Sequence, residues 1–117
     1  MKKSLLFAAL LMVSVFVSLN SCKKEEEAPD VDCSTSSGAT YNAKVKTIID
    51  TYCVGCHSAG GEAESEGVYT TFADVSTHKN HIYDEAVLEK AMPPTGALPD
   101  SLINILHCWK EAGFPQN

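Results

Sequence analysis

The chain has 117 residues, with 9 Lys plus Arg against 15 Asp plus Glu and a formal charge of −6 at pH 7. It contains no arginine and no basic run outside Lys2-Lys3 and Lys23-Lys24, which argues against nucleic acid as a partner. Its length allows one small domain and no more.

Met1-Lys2-Lys3 is a positive start, and Leu5 to Leu19 is an apolar run broken only by Ser14 and Ser18. That run is short for a membrane span and polar chain follows it, so residues 1–21 read as an export signal peptide. It closes on Leu19-Asn20-Ser21-Cys22, which resembles the lipobox of bacterial lipoproteins. The resemblance implies that Cys22 is lipidated and becomes the first mature residue; Asn20 departs from the commoner Ala, Ser or Thr. The alternative is cleavage nearby with Cys22 left free. Removing residues 1–21 leaves 96 residues, with seven lysines against fifteen carboxylates and a balance of −8.

Residues 22–38 read as a flexible acidic tether. They carry Lys23-Lys24-Glu25-Glu26-Glu27, Pro29 and a Ser/Thr/Gly-rich stretch, with no apolar periodicity. A charged run directly after a lipidated cysteine also resembles a surface-export signal, although a solvated spacer explains the same residues. Residues 39–117 are left as the packed domain.

Within it, Val45, Ile48, Ile49 and Tyr52 fall at i, i+3, i+4 and i+7, which predicts a helix starting near Tyr41 or Asn42. The helix leads into Cys53-Val54-Gly55-Cys56-His57, the attachment signature of c-type haem. One helical turn brings the two sulfurs together, where each can add to a vinyl edge of the porphyrin, and the next residue can bring an imidazole to the iron. A redox dithiol would sit beside a βαβ pattern, which is missing. Zinc needs four ligands, and no second Cys pair has metal-ligand spacing. A plain disulfide followed by an accidental histidine is the remaining alternative.

Ser58 to Gly67 is small, polar and acidic, and reads as a loop. Thr71 to Val75 reads as a short helix, with Thr71 and Asp74 at capping-box distance. Ile82 to Ala91 is a third helical candidate. Met92-Pro93-Pro94-Thr95-Gly96 is a loop, because two prolines bar a helix. The last helix covers Asp100 to Ala112, with Leu102, Ile105, Leu106 and Trp109 on one face, Gly113 as its stop and Pro115 beyond. No strand alternation or repeat occurs, so the fold class is all-α.

Tyr52-Cys53-Val54-Gly55-Cys56-His57, Ala91-Met92-Pro93-Pro94 and the helix from Leu102 to Gly113 stand in an order that resembles a small class I-type cytochrome c domain. The chain is similar to the single-domain cytochrome c lipoproteins of Bacteroidetes-type bacteria. That resemblance covers about Tyr41 to Pro115, and its first motif is highly specific. It implies a small helical domain, 39–117, wrapped around one covalently bound haem c, with the iron between His57 and Met92. Met92 is the only methionine once residues 1–21 are removed; a core methionine is its other reading. His78 and His81 are rival ligands, and His107 reads as structural. Tyr52, Phe72, Ile82, Val87, Leu98, Ile105, Leu106 and Trp109 are the expected apolar jacket.

Two features depart from the better-known pattern. Only 34 residues separate His57 from Met92, and no proline occurs between His57 and Pro93 to orient the proximal imidazole. Another acceptor must take the Nδ1–H of His57. The resemblance implies an electron carrier and no catalytic residues. It would be exported, anchored to a membrane by lipid, and would meet redox proteins with basic docking faces. The alternatives are an open-site haem protein for a small gas or peroxide, and a haem-free disulfide-bonded binding module. With Cys22, Cys53 and Cys56 assigned, Cys33 and Cys108 remain as a pair in an oxidising compartment. The first and last helices of cytochrome c folds pack together, which makes a Cys33–Cys108 bridge plausible. The alternative is a buried Cys108 with Cys33 free or intermolecular.

Overall fold

The computed structural model describes residues 27–36 and 38–117. The expected signal peptide, Cys22 and residues 23–26 of the expected tether lie outside the described residues. Every regular element among the described residues is helical, in keeping with the all-α expectation, and no described helix is long and apolar enough to cross a membrane.

A 3-10 turn, Cys33–Ser36, leads to Thr40, whose hydroxyl accepts from the Ala43 N–H and caps a π-helical turn, Tyr41–Val45. That turn continues as α1, Lys46–Tyr52. Tyr41, Val45, Ile48 and Ile49 form its buried face. Three of the four positions expected on that face are buried; the fourth, Tyr52, is exposed at the cavity, and the cap falls one position before Tyr41.

Helix α2, Phe72–Tyr83, opens with a full capping box: Thr71 accepts from the Asp74 N–H, and the Asp74 carboxylate accepts from the Thr71 N–H. The hydroxyl of Thr71 also donates to that carboxylate and holds Asp74 below the usual carboxylate range. Where the sequence suggested two helices, at Thr71–Val75 and Ile82–Ala91, the chain forms one, prolonged by a π-helical turn, Asp84–Leu88. It stops before Ala91 because Lys90 turns with φ +54°. The N–H groups of Ala91 and Met92 then both donate back to the Glu85 carbonyl, at 2.8 and 3.1 Å. This reversal aims the Met92-Pro93-Pro94 loop back along the helix that precedes it.

Helix α3, Asp100–Glu111, buries Ile103, Leu106, His107, Cys108 and Trp109. Gly113, at φ +84°, ends it as the sequence indicated. The π-helical turn meets residues 115–116 here. The Tyr41 and Asn42 N–H groups donate to the Pro115 and Gln116 carbonyls, and the Trp109 indole donates to the Pro115 carbonyl at 2.9 Å. Cys33 and Cys108 form a disulfide across this junction, with 5.3 Å between Cα atoms. Val31 and Cys33 rest against the core, so the distal part of the 22–38 segment is attached to the domain.

Candidate functional site

Helix α1 delivers Cys53 at its end, and the next residues make one helix-like turn. The Cys56 and His57 N–H groups both donate to the Cys53 carbonyl, at 3.2 and 2.9 Å. Both thiols are free. The following loop folds back tightly under this turn: the Ala63 N–H donates to the Cys56 carbonyl, and any Cβ at Gly61 would collide with that same carbonyl. Gly61 is therefore fixed by close backbone approach.

Cys53, Cys56 and His57 stand on the wall of a cavity of about 460 Å³, a size and lining typical of small-molecule and cofactor pockets. The opposing segment contributes Met92, Pro93 and Pro94. Helix α1 supplies Ile48, Ile49 and Tyr52; α2 and its π-helical extension supply Ile82 and Ala86; α3 supplies Leu106, with Leu98 just before it. Most of the wall is apolar. Glu62, Glu66 and Glu85 are its acidic members.

The expected jacket is corrected at four positions. Tyr52, Ile82, Leu98 and Leu106 line the cavity, but Phe72, Val87, Ile105 and Trp109 do not. Phe72 and Trp109 lie against Tyr41 on the terminal side, with ring centroids 5.0 and 6.4 Å away. A helix carries several apolar faces, and periodicity alone does not say which one meets the site.

The histidines separate by geometry. The acceptor for His57, which no sequence feature named, is the Gly67 carbonyl, 2.9 Å from Nδ1. That contact commits Nδ1 and leaves Nε2 as the ring nitrogen for another partner. His81 lines the cavity, whereas His78 does not; its Nδ1 lies 2.9 Å from the Asp74 carbonyl one turn back. His107 is buried, with Nδ1 2.9 Å from the Tyr83 hydroxyl, and its structural reading stands. Tyr69, which the sequence did not single out, is buried and stacks on the His57 ring.

Burial pushes the Cys53 thiol up to about 11. A redox dithiol works through a thiolate of lowered pKa, so this environment suits a neutral thiol rather than an attacking one. Among the described residues, no three or more His, Cys, Asp and Glu side chains converge as a metal-binding group. Comparisons with protein-family models, curated proteins and solved structures found no match to the chain.

Proposed function

We propose that the chain is a c-type haem electron-transfer lipoprotein, with one haem c held covalently by Cys53 and Cys56 and its iron bound by His57 and Met92. One observation carries the reading. Two thiols, an imidazole and a thioether, from segments 34 residues apart, border the same apolar cavity. The donor set fits the group: the thiols are free and the Nδ1 of His57 is already occupied by a carbonyl.

When bound, the haem supplies a one-electron couple. The chain supplies its environment. Met92 offers a soft thioether, which favours ferrous iron and raises the reduction potential. Ile48, Ile49, Ile82, Leu98 and Leu106 exclude water from the site, each Å² of apolar cover contributing about 25 cal/mol. Glu62, Glu66 and Glu85 place part of the −8 balance of residues 22–117 at the cavity, a field suited to redox proteins with basic docking faces. The export signal and Cys22 put this carrier outside the cytoplasmic membrane on a lipid anchor, facing the periplasm or the cell surface. It is a carrier and not an enzyme.

A second reading keeps the haem and leaves the iron open to a small gas or peroxide. Met92 favours it by being 39 % exposed on a loop. Spectra of protein matured with a haem-attachment system separate the two. The carrier reading expects a low-spin, six-coordinate haem with the weak near-infrared thioether-to-iron band. M92A should lose that band and gain affinity for carbon monoxide or cyanide. Retention of the band in M92A would move the ligand elsewhere, with His81 on the cavity wall tested next; a high-spin wild type would favour the open site.

A further inference from the structure

Three contacts from residues 67–69 converge on His57. Its Nδ1 lies 2.9 Å from the Gly67 carbonyl, and its own carbonyl accepts from the Tyr69 N–H at 2.9 Å. The Tyr69 ring lies nearly parallel to the imidazole, with centroids 4.3 Å apart and planes 14° apart. Tyr69 is 4 % exposed and packs in turn against His78, centroids 5.3 Å apart, and His78 is anchored to the Asp74 carbonyl of α2. Gly67 has φ +135°, and a Cβ there would lie 2.8 Å from Tyr69 Cε1 and 3.0 Å from His78 Nε2. A side chain at 67 would thus be strained in backbone and would press on the stack.

We propose that Gly67 and Tyr69 form a clamp that sets both the tautomer and the ring plane of His57, with Tyr69 as its positioning residue. The inference rests on the reading of His57 as the iron's nitrogen ligand. A single hydrogen bond at Nδ1 selects the tautomer but leaves the ring able to rock about that bond. A parallel aromatic ring against its face removes that freedom. The carbonyl makes Nε2 a stronger donor, because second-shell acceptors raise imidazole basicity. The Tyr69 face keeps that lone pair aimed. The two together do the work for which this chain has no proline between His57 and Pro93.

The test compares wild type, Y69F and Y69L, with and without haem. In haem-free protein, nitrogen-15 spectra of wild type and Y69F should show one neutral His57 tautomer protonated at Nδ1, with slow exchange of that proton. Y69L should keep that tautomer but exchange the Nδ1 proton fast, because the unclamped ring rocks about its hydrogen bond. In haem-loaded protein, Y69L should have a raised midpoint potential, since a loosened imidazole donates less to ferric iron, and Y69F should stay near wild type. If Y69L lowers only the melting temperature, Tyr69 is a packing residue and the proposal falls. Should Y69L not fold, the wild-type Nδ1 proton decides alone, and rapid exchange there overturns the clamp. A wild type that takes up no haem would remove the ligand reading while leaving the tautomer result standing.

Discussion

The terminal side and the cavity side of this domain are closed by different means. On the terminal side, Tyr41, Trp109 and Phe114 pack ring against ring, the Tyr41 and Asn42 N–H groups donate to the Pro115 and Gln116 carbonyls, and the Cys33–Cys108 disulfide crosses the junction. On the cavity side, the walls are mostly apolar, and the two cysteines there are free thiols. Both sides draw on one core: Val45 of the π-helical turn, Ile48 of α1, and Leu106 and Trp109 of α3 are all buried in it, and of these Ile48 and Leu106 also line the cavity. The terminal side is tied by a disulfide and backbone hydrogen bonds as well as by packing, whereas the cavity side has packing alone around an open space.

Removing the disulfide probes that division most strongly. The bridge joins residues 75 apart in sequence, and the chain-entropy estimate gives it about 4 kcal/mol. C33S/C108S should therefore lower unfolding stability by about that much in urea titration while leaving the visible spectrum of the haem-loaded protein unchanged. A spectrum that changes with the loss of the disulfide would mean that the two sides are not separable.

A smaller effect should come from Cys53. In haem-free protein its folded pKa is raised by burial from 9.0 to about 11. The unfolded thiol ionises first as pH rises, so the contribution is fully present below pH 9.0 and is lost as pH rises through about 11. It amounts to on the order of 2 kcal/mol. Comparing wild type with C53S across that window isolates it from the buried tyrosines. On the proposed reading haem attachment converts that sulfur to a thioether, and the difference in slope should vanish. A wild type and C53S with identical slopes when haem-free would show that Cys53 is not held in an apolar wall.

Much of this was legible before any coordinates, and for a common reason. Thr71 and Asp74, Gly113, the two prolines after Met92 and the cysteine count each act through local chemistry that reads the same in any fold. What could not be read depends on long-range placement. The capping box started a helix whose end was set by the reversal at Lys90 and the Glu85 carbonyl, not by periodicity. His78 and His81 are three residues apart and looked equivalent, but only helical phase around α2 puts His81 on the cavity and His78 against Tyr69. Gly67 and Tyr69 sit in a stretch without pattern, and their meeting with His57 depends on the tight return of the 58–67 loop. The choice of which apolar residues face the cavity was half right, since Trp109 and Phe72 serve the terminal side instead.

The central claim is that Cys53, Cys56 and His57 form a covalent haem site, and intact mass measures it most directly. Wild-type protein co-expressed with a cytochrome c maturation system and then denatured should carry the mass of one haem, and C53S/C56S prepared in the same way should carry none. A wild type of bare polypeptide mass, or a double variant that keeps the increment, would contradict the account.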